Sequence, residues 1–173
     1  MIVTEYKVIK RKYGIPQLKI KQNFETKYEG QPDYELLCEM LDEMYDLSWL
    51  NDEYVYVISM DTGFHIKGVY ELGHGNYNTV SAYNRELFIF LLLTGAEQFV
   101  IVHNHPNGEL EASESDKLCV INMNMCAKIL NLKFAESIIV TEEGFLCIKS
   151  ELDMFNKNMI NDFENIDWDK IKL

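Results

Sequence analysis

The period of the apolar positions changes along the chain, and each change marks an element. Residues 4–12 and 17–27 alternate polar with apolar, as a half-buried strand does, and Tyr13-Gly14-Ile15-Pro16 supplies a turn between them. Gln31-Pro32-Asp33 opens a helix, with Leu36, Leu37, Met40, Leu41 and Met44 on its apolar face. Two strands follow at Tyr54–Met60 and Phe64–Leu72, joined across Asp61-Thr62-Gly63, and Gly73-His74-Gly75-Asn76 reads as a loop. Asn84 to Thr94 predicts a buried helix ending on Gly95 as its C-cap. Phe99-Val100-Ile101-Val102 is wholly apolar and too short for a helix, so it predicts a buried strand. From Glu114 to Leu130 a helix is expected to bury Leu118, Ile121, Met125 and Ile129, which recur at three and four positions. Ser137–Thr141 and Phe145–Lys149 predict a last hairpin across Glu142-Glu143-Gly144, and residues 151–167 a terminal helix. Helices flanking a mixed β-sheet place the chain in the α/β or α+β class.

Composition narrows the setting. With 173 residues, 47% of them hydrophobic, the chain is expected to form one domain, 1–173, with a sizeable core. Its longest apolar run, Leu87 to Leu93, falls far short of the ~20 residues that cross a bilayer, so no membrane partner is expected. The opening MIVTEYKVIKRKYG has no apolar h-region and no small-residue cleavage site, which predicts no secretory signal. Cys38, Cys119, Cys126 and Cys147 lack C-x-x-C spacing, as expected of reduced thiols in a cytoplasmic protein. Cys119 and Cys126, seven apart on one predicted helix, are expected in the core.

The formal charge of -12 is uneven: residues 1–30 carry seven Lys/Arg against three acidic residues, and residues 31–150 carry six against nineteen. Nucleic-acid binding needs cations to neutralise phosphates, so the acidic body argues against a dedicated nucleic-acid surface. The basic N-terminal patch reads as ordinary solvated strand faces.

Candidate chemistry concentrates in one stretch, FVIVHNHPNGELEASESD, from Phe99 to Asp116. Residues i and i+2 of an extended chain share a face, so His103 and His105 point the same way. Two neutral imidazoles so placed can share a metal ion. Pro106, Asn107 and Gly108 break the strand, seven residues separate His105 from Ser113, and Asp116 follows three positions later at a helix start. Taken alone, Ser113-x-x-Asp116 is a capping pair, and a lone H-x-H is a weak metal signal. The combination is much rarer than its parts. Ser113 can cap the helix while Asp116 turns its carboxylate towards a metal.

HNHPNGELEASESD resembles the signature of the JAB/MPN/JAMM metalloproteases, H-x-H, seven residues, S-x-x-D. More narrowly it is similar to the RadC-like branch, whose loop reads HNHPSG followed by PS and an acidic residue. Asn107 stands where that branch has Ser and Ala112 where it has Pro; neither is an expected ligand. The similarity runs from about Glu53 to Glu151. The resemblance implies a JAB/MPN (cytidine-deaminase-like) architecture and one Zn2+ per chain on His103, His105 and Asp116, with a fourth position open to water. It also implies a peptide or protein-conjugate substrate and a catalytic base on Glu53, the residue before the strand Tyr54–Met60. Glu86 in Tyr83-Asn84-Arg85-Glu86 is the rival base, and is also read as a helix-start carboxylate partnering the dipole. Arg85 is read either as a partner for an acidic substrate group or as a surface ion pair. Ser113 would hydrogen-bond a developing oxyanion.

His65 reads as a half-exposed filler of its strand, and His74, between glycines, as a residue lining the cleft. Three functions follow: a zinc-dependent amide or isopeptide hydrolase, a genome-maintenance or mobile-element accessory protein, and a metal-stabilised interaction scaffold.

Overall fold

The computed structural model describes residues 1–27, 31–75 and 80–155. The alternating N-terminal segments form β1 (Ile2–Lys10) and β2 (Pro16–Glu25), an antiparallel pair. Next comes α1 (Tyr34–Tyr45), whose N-cap Asp33 accepts from the Leu36 N–H at 2.9 Å. Leu37, Met40 and Leu41 of the expected apolar face are buried, and Leu36 and Met44 half-buried. Then follow β3 (Tyr54–Met60), β4 (Ile66–His74), α2 (Val80–Thr94), β5 (Gln98–Asn104), α3 (Glu114–Ile129), β6 (Lys133–Thr141), β7 (Gly144–Cys147) and α4 (Ile148–Phe155).

The seven strands make one sheet in the order β2-β1-β4-β3-β5-β6-β7. It is mixed: β5 runs antiparallel to β3 and parallel to β6. Alternation along the strands sends side chains into two cores. Val55, Val57, Phe99 and Ile101 pack with Leu87, Phe90 and Leu91 of α2 and with Val120 and Met123 of α3. Tyr56, Ile58, Val100 and Val102 pack with Leu37, Met40 and Leu41 of α1. β5, central and covered on both faces, is buried at every position, which explains its unbroken apolar run. The α+β class and the mixed sheet flanked by helices are therefore as expected. No helix among the described residues is long and apolar enough to cross a membrane.

Several local expectations are corrected. Phe64 lies outside its predicted strand, at a positive φ of 63°, because the turn after Asp61 runs on to Ile66. Gly73 and His74 belong to β4 rather than to a loop. β6 starts at Lys133, earlier than the predicted Ser137. Ile148 and Lys149 open α4 instead of extending β7. α2 begins at Val80, so Glu86 is in its second turn and not at its start. On α3 the buried face is Asp116, Cys119, Val120, Met123 and Ala127, whereas Leu118 and Ile129 are 58% and 68% exposed. Two stripes on this helix have helical spacing; the one containing Asp116 and small residues faces the sheet. Cys119 is accordingly buried, while Cys126 is half-buried. Most of the predicted terminal helix lies outside the described residues.

The basic residues of the N-terminal patch are exposed, as expected of solvated strand faces, and one of them, Lys21, reaches a buried carboxylate. Glu5 of β1 is fully buried, and accepts from Lys21 at 2.7 Å and Gln22 at 2.8 Å; Lys21 also reaches Glu71 of β4 at 3.1 Å.

Candidate metal centre

The site grows from the end of β5. The His105 N–H donates to the Val140 carbonyl of β6 at 3.2 Å, which carries the extended chain one residue past β5. His103 and His105 thus keep the same-face relation that the sequence predicts. The chain then turns sharply: the Gly108 N–H donates back to the His105 carbonyl at 3.0 Å, and Gly108 adopts a φ of 76° that disfavours a side chain. This turn brings the Glu109 carbonyl to 2.9 Å from His105 Nδ1. A carbonyl accepts only, so Nδ1 carries the proton and Nε2 keeps its lone pair for another partner.

Ser113 is the N-cap of α3, and with Asp116 it forms a capping box. Its N–H and hydroxyl both donate to Asp116 Oδ2, at 2.8 and 2.6 Å, and its Oγ accepts from the Asp116 N–H at 3.2 Å. The box holds the carboxylate over the end of β5. His103 Nε2 lies 3.5 Å from Asp116 Oδ1, and His105 Nε2 lies 3.8 Å from Asp116 Oδ2. One ligand atom from each of the three residues lies within 4.8 Å of the others.

The donor set fits a metal ion. A tetrahedral zinc with bonds of ~2.0–2.1 Å sets its ligand atoms about 3.4 Å apart, close to the 3.5 Å between His103 Nε2 and Asp116 Oδ1, while His105 Nε2 lies 3.8 Å from the other carboxylate oxygen. His103 and Asp116 are buried and His105 is half-buried. Burial, with His105 adding to it, outweighs the pull of Asp116 and lowers the His103 pKa to about 4, so this imidazole is neutral and able to ligate at neutral pH. The three residues form a possible metal-binding triad.

Glu53 sits immediately before β3, and β3 pairs with β5 through Val55 opposite His103. Its carbonyl accepts from the Gly75 N–H at 2.8 Å. Burial, and then the charge of Asp116, raise its carboxyl to about 7. Glu53 therefore feels the triad without belonging to it. Glu86, the rival, lies 3.6 Å from Arg85 Nη1 in a surface ion pair.

The other two imidazoles lie outside the triad. His65 pairs with Asp61 at 2.9 Å. His74 pairs with Glu71 at 3.2 Å and stacks on Tyr54 with ring centroids 5.3 Å apart.

One residue of the site went unnoticed in the sequence. Asn104, between the two histidines, is fully buried, and its side chain bonds three backbone groups flanking Glu53. Its signal was an uncharged polar side chain closing a strand that is buried at every position, where it must find partners.

Comparison with known proteins agrees with this geometry. Residues 34–153 match the model of the RadC-like JAB domain, a span that takes in α1, Glu53 and the whole triad and starts earlier than the motif alone suggested. A UPF0758 protein of Clostridium tetani is 25% identical over 108 residues, covering 62% of this chain and 47% of the relative. A UPF0758 protein of Thermotoga maritima is 26% identical over 106 residues, covering 61% of this chain and 48% of the relative. The chain spans about half the length of the curated relatives it matches. The match over most of the chain, on a mixed sheet carrying the expected triad, shows that this protein belongs to the RadC-like JAB domain family.

Proposed function

We propose that the chain is a zinc-dependent hydrolase that cleaves an amide or isopeptide bond in a peptide or protein conjugate. The observation that carries this reading is the convergence of His103, His105 and Asp116 with a fourth, non-ligating carboxylate, Glu53, close enough to feel Asp116. Bound zinc supplies Lewis acidity and brings the pKa of water towards ~7. His103, His105 and Asp116 would hold the ion, with the His105 ring fixed by the Glu109 carbonyl. Glu53 takes the proton from attacking water and returns it to the leaving amine. Burial and the Asp116 charge raise this carboxyl to about 7 in the metal-free site, and a bound cation would favour its ionised form, the form that accepts a proton.

Ser113 orients Asp116 through two donated hydrogen bonds. Donation to a developing oxyanion requires its hydroxyl to turn away from Asp116. We treat residues 1–173 as a single RadC-like JAB/MPN unit, with β1 and β2 extending the sheet.

The test joins metal analysis to turnover on a panel of peptides and isopeptide-linked conjugates. Purified protein should hold about one zinc per chain. Glu53→Gln should keep the zinc and lose ~10²–10⁴-fold in hydrolysis, whereas Glu86→Gln should change it little. No zinc uptake, or full activity in Glu53→Gln, would refute the mechanism.

A further inference from the structure

We propose that Asn104 is a positioning residue that locks the Glu53 segment to the strand carrying both histidines. The assignment of Glu53 as the base rests on the hydrolase reading above; the lock itself rests on backbone geometry.

The antiparallel ladder between β3 and β5 ends at Val55 opposite His103, two residues short of Glu53. Beyond that point the Asn104 side chain takes over from the backbone. Its Oδ1 accepts from the Tyr54 N–H at 2.7 Å, and its Nδ2 donates to the Asp52 carbonyl at 3.0 Å and the Leu50 carbonyl at 3.3 Å. Two of these partners, Asp52 and Tyr54, are the residues on either side of Glu53. A primary amide offers an acceptor on one side and two donors on the other, so one Asn satisfies all three groups in a single orientation. The side chain is fully buried, where such bonds are strong and their loss is costly.

Neighbouring residues of a strand face opposite ways, so Asn104 does this from the side of β5 away from His103 and His105. It can therefore set the position of Glu53 without touching a ligand. The Gly75 N–H holds the Glu53 carbonyl at 2.8 Å, so the backbone of the segment is fixed on both flanks. The side chain of Glu53 therefore springs from a fixed backbone. A displacement of ~1 Å at such a group costs on the order of 10²-fold in rate.

The experiment measures amide hydrogen exchange, zinc content and steady-state kinetics in wild type, Asn104→Ala and Asn104→Asp. Asn104→Ala should speed exchange across residues 50–54 by at least ~10-fold, as a local opening would, and leave the β5 core protected. Zinc should stay at wild-type stoichiometry, and kcat should fall with KM little changed. Asn104→Asp keeps the acceptor for Tyr54 but turns an oxygen towards the two carbonyls, so it should loosen residues 50–53 while sparing the Tyr54 amide. This second variant carries the test if the alanine variant does not fold.

Unchanged exchange at 50–54, or zinc lost in step with the loosening, would overturn the proposal, since Asn104 would then hold nothing or hold the ligands. If wild type hydrolyses no substrate, the hydrolase reading fails separately. Loosening of 50–54 with zinc retained would then still support the lock.

Discussion

Replacing Glu53 by glutamine should stabilise the metal-free protein at high pH even as it removes most of the hydrolysis. Burial and the Asp116 charge push this carboxyl from an ordinary 4.5 up to about 7. The folded state then binds the Glu53 proton more tightly than the unfolded chain does. That contribution to stability is fully present below pH 4.5 and is lost as pH rises through about 7. The whole interval corresponds to about 3 kcal/mol. Glu53 is half-buried, and solvent screening brings the expected figure down to ~1–1.5 kcal/mol. Glutamine does not titrate, so chelated Glu53→Gln should gain ~1–1.5 kcal/mol on chelated wild type between pH 4.5 and about pH 8.

Urea unfolding of both proteins in the presence of chelator reads this directly. All other titrating groups are common to the two, so the change in their difference with pH isolates Glu53. Zinc should abolish the pH-dependent gap, because a nearby divalent cation favours the ionised carboxylate. A gap that stays constant across the pH range in chelator would show that Glu53 is not desolvated beside Asp116. The reading of Glu53 as the base would then fail.

Three further outcomes are expected. The paired variant His103→Ala and His105→Ala should lose zinc by elemental analysis yet still unfold cooperatively, because both cores remain to support the sheet. Ser113→Ala removes a helix cap and a bond to the ligating carboxylate, so it should cost ~1 kcal/mol in stability and ~10-fold in zinc affinity, measured by unfolding and chelator competition. Duplex DNA should bind weakly and without sequence preference, because the charge is -12; a salt-resistant complex with one sequence would contradict this.

The strand that leads into the triad was legible because burial on both faces leaves an unbroken apolar run ending in polar residues. The ligand spacing was legible for a related reason: a strand, a tight turn and a helix cap each impose a short, fixed sequence signal. The inward face of α3 was not, since Leu118 and Ile129 share helical spacing with each other as well as Cys119 and Met123 do. Which stripe turns inward is decided by Asp116 and by small residues that let the helix approach the sheet. Asn104 was missed because its role depends on a segment about 50 residues away, beyond any local period. The start of α2 at Val80 was likewise hidden, as Ser81, Tyr83 and Asn84 are weak helix formers carried by the longer helix.

The carboxylates argue for a cation more strongly than the imidazoles do. Asp116 is buried, and Glu53 is close enough that the Asp116 charge raises its pKa. Bringing two such groups out of water towards each other costs several kcal/mol unless a countercharge joins them. Among the neighbours, His103 does not supply one at neutral pH, since burial holds its pKa at about 4. The Ser113 bonds satisfy Oδ2 of Asp116, while Oδ1 faces His103 Nε2 at 3.5 Å. A divalent cation between the imidazoles and Asp116 would offset the burial of both carboxylates at once. It would take Asp116 as a ligand and lower the cost of ionising Glu53, which lies outside the triad. On that reading the cap fixes the carboxylate that would ligate, Asp116, and leaves Glu53 without such a clamp beside it.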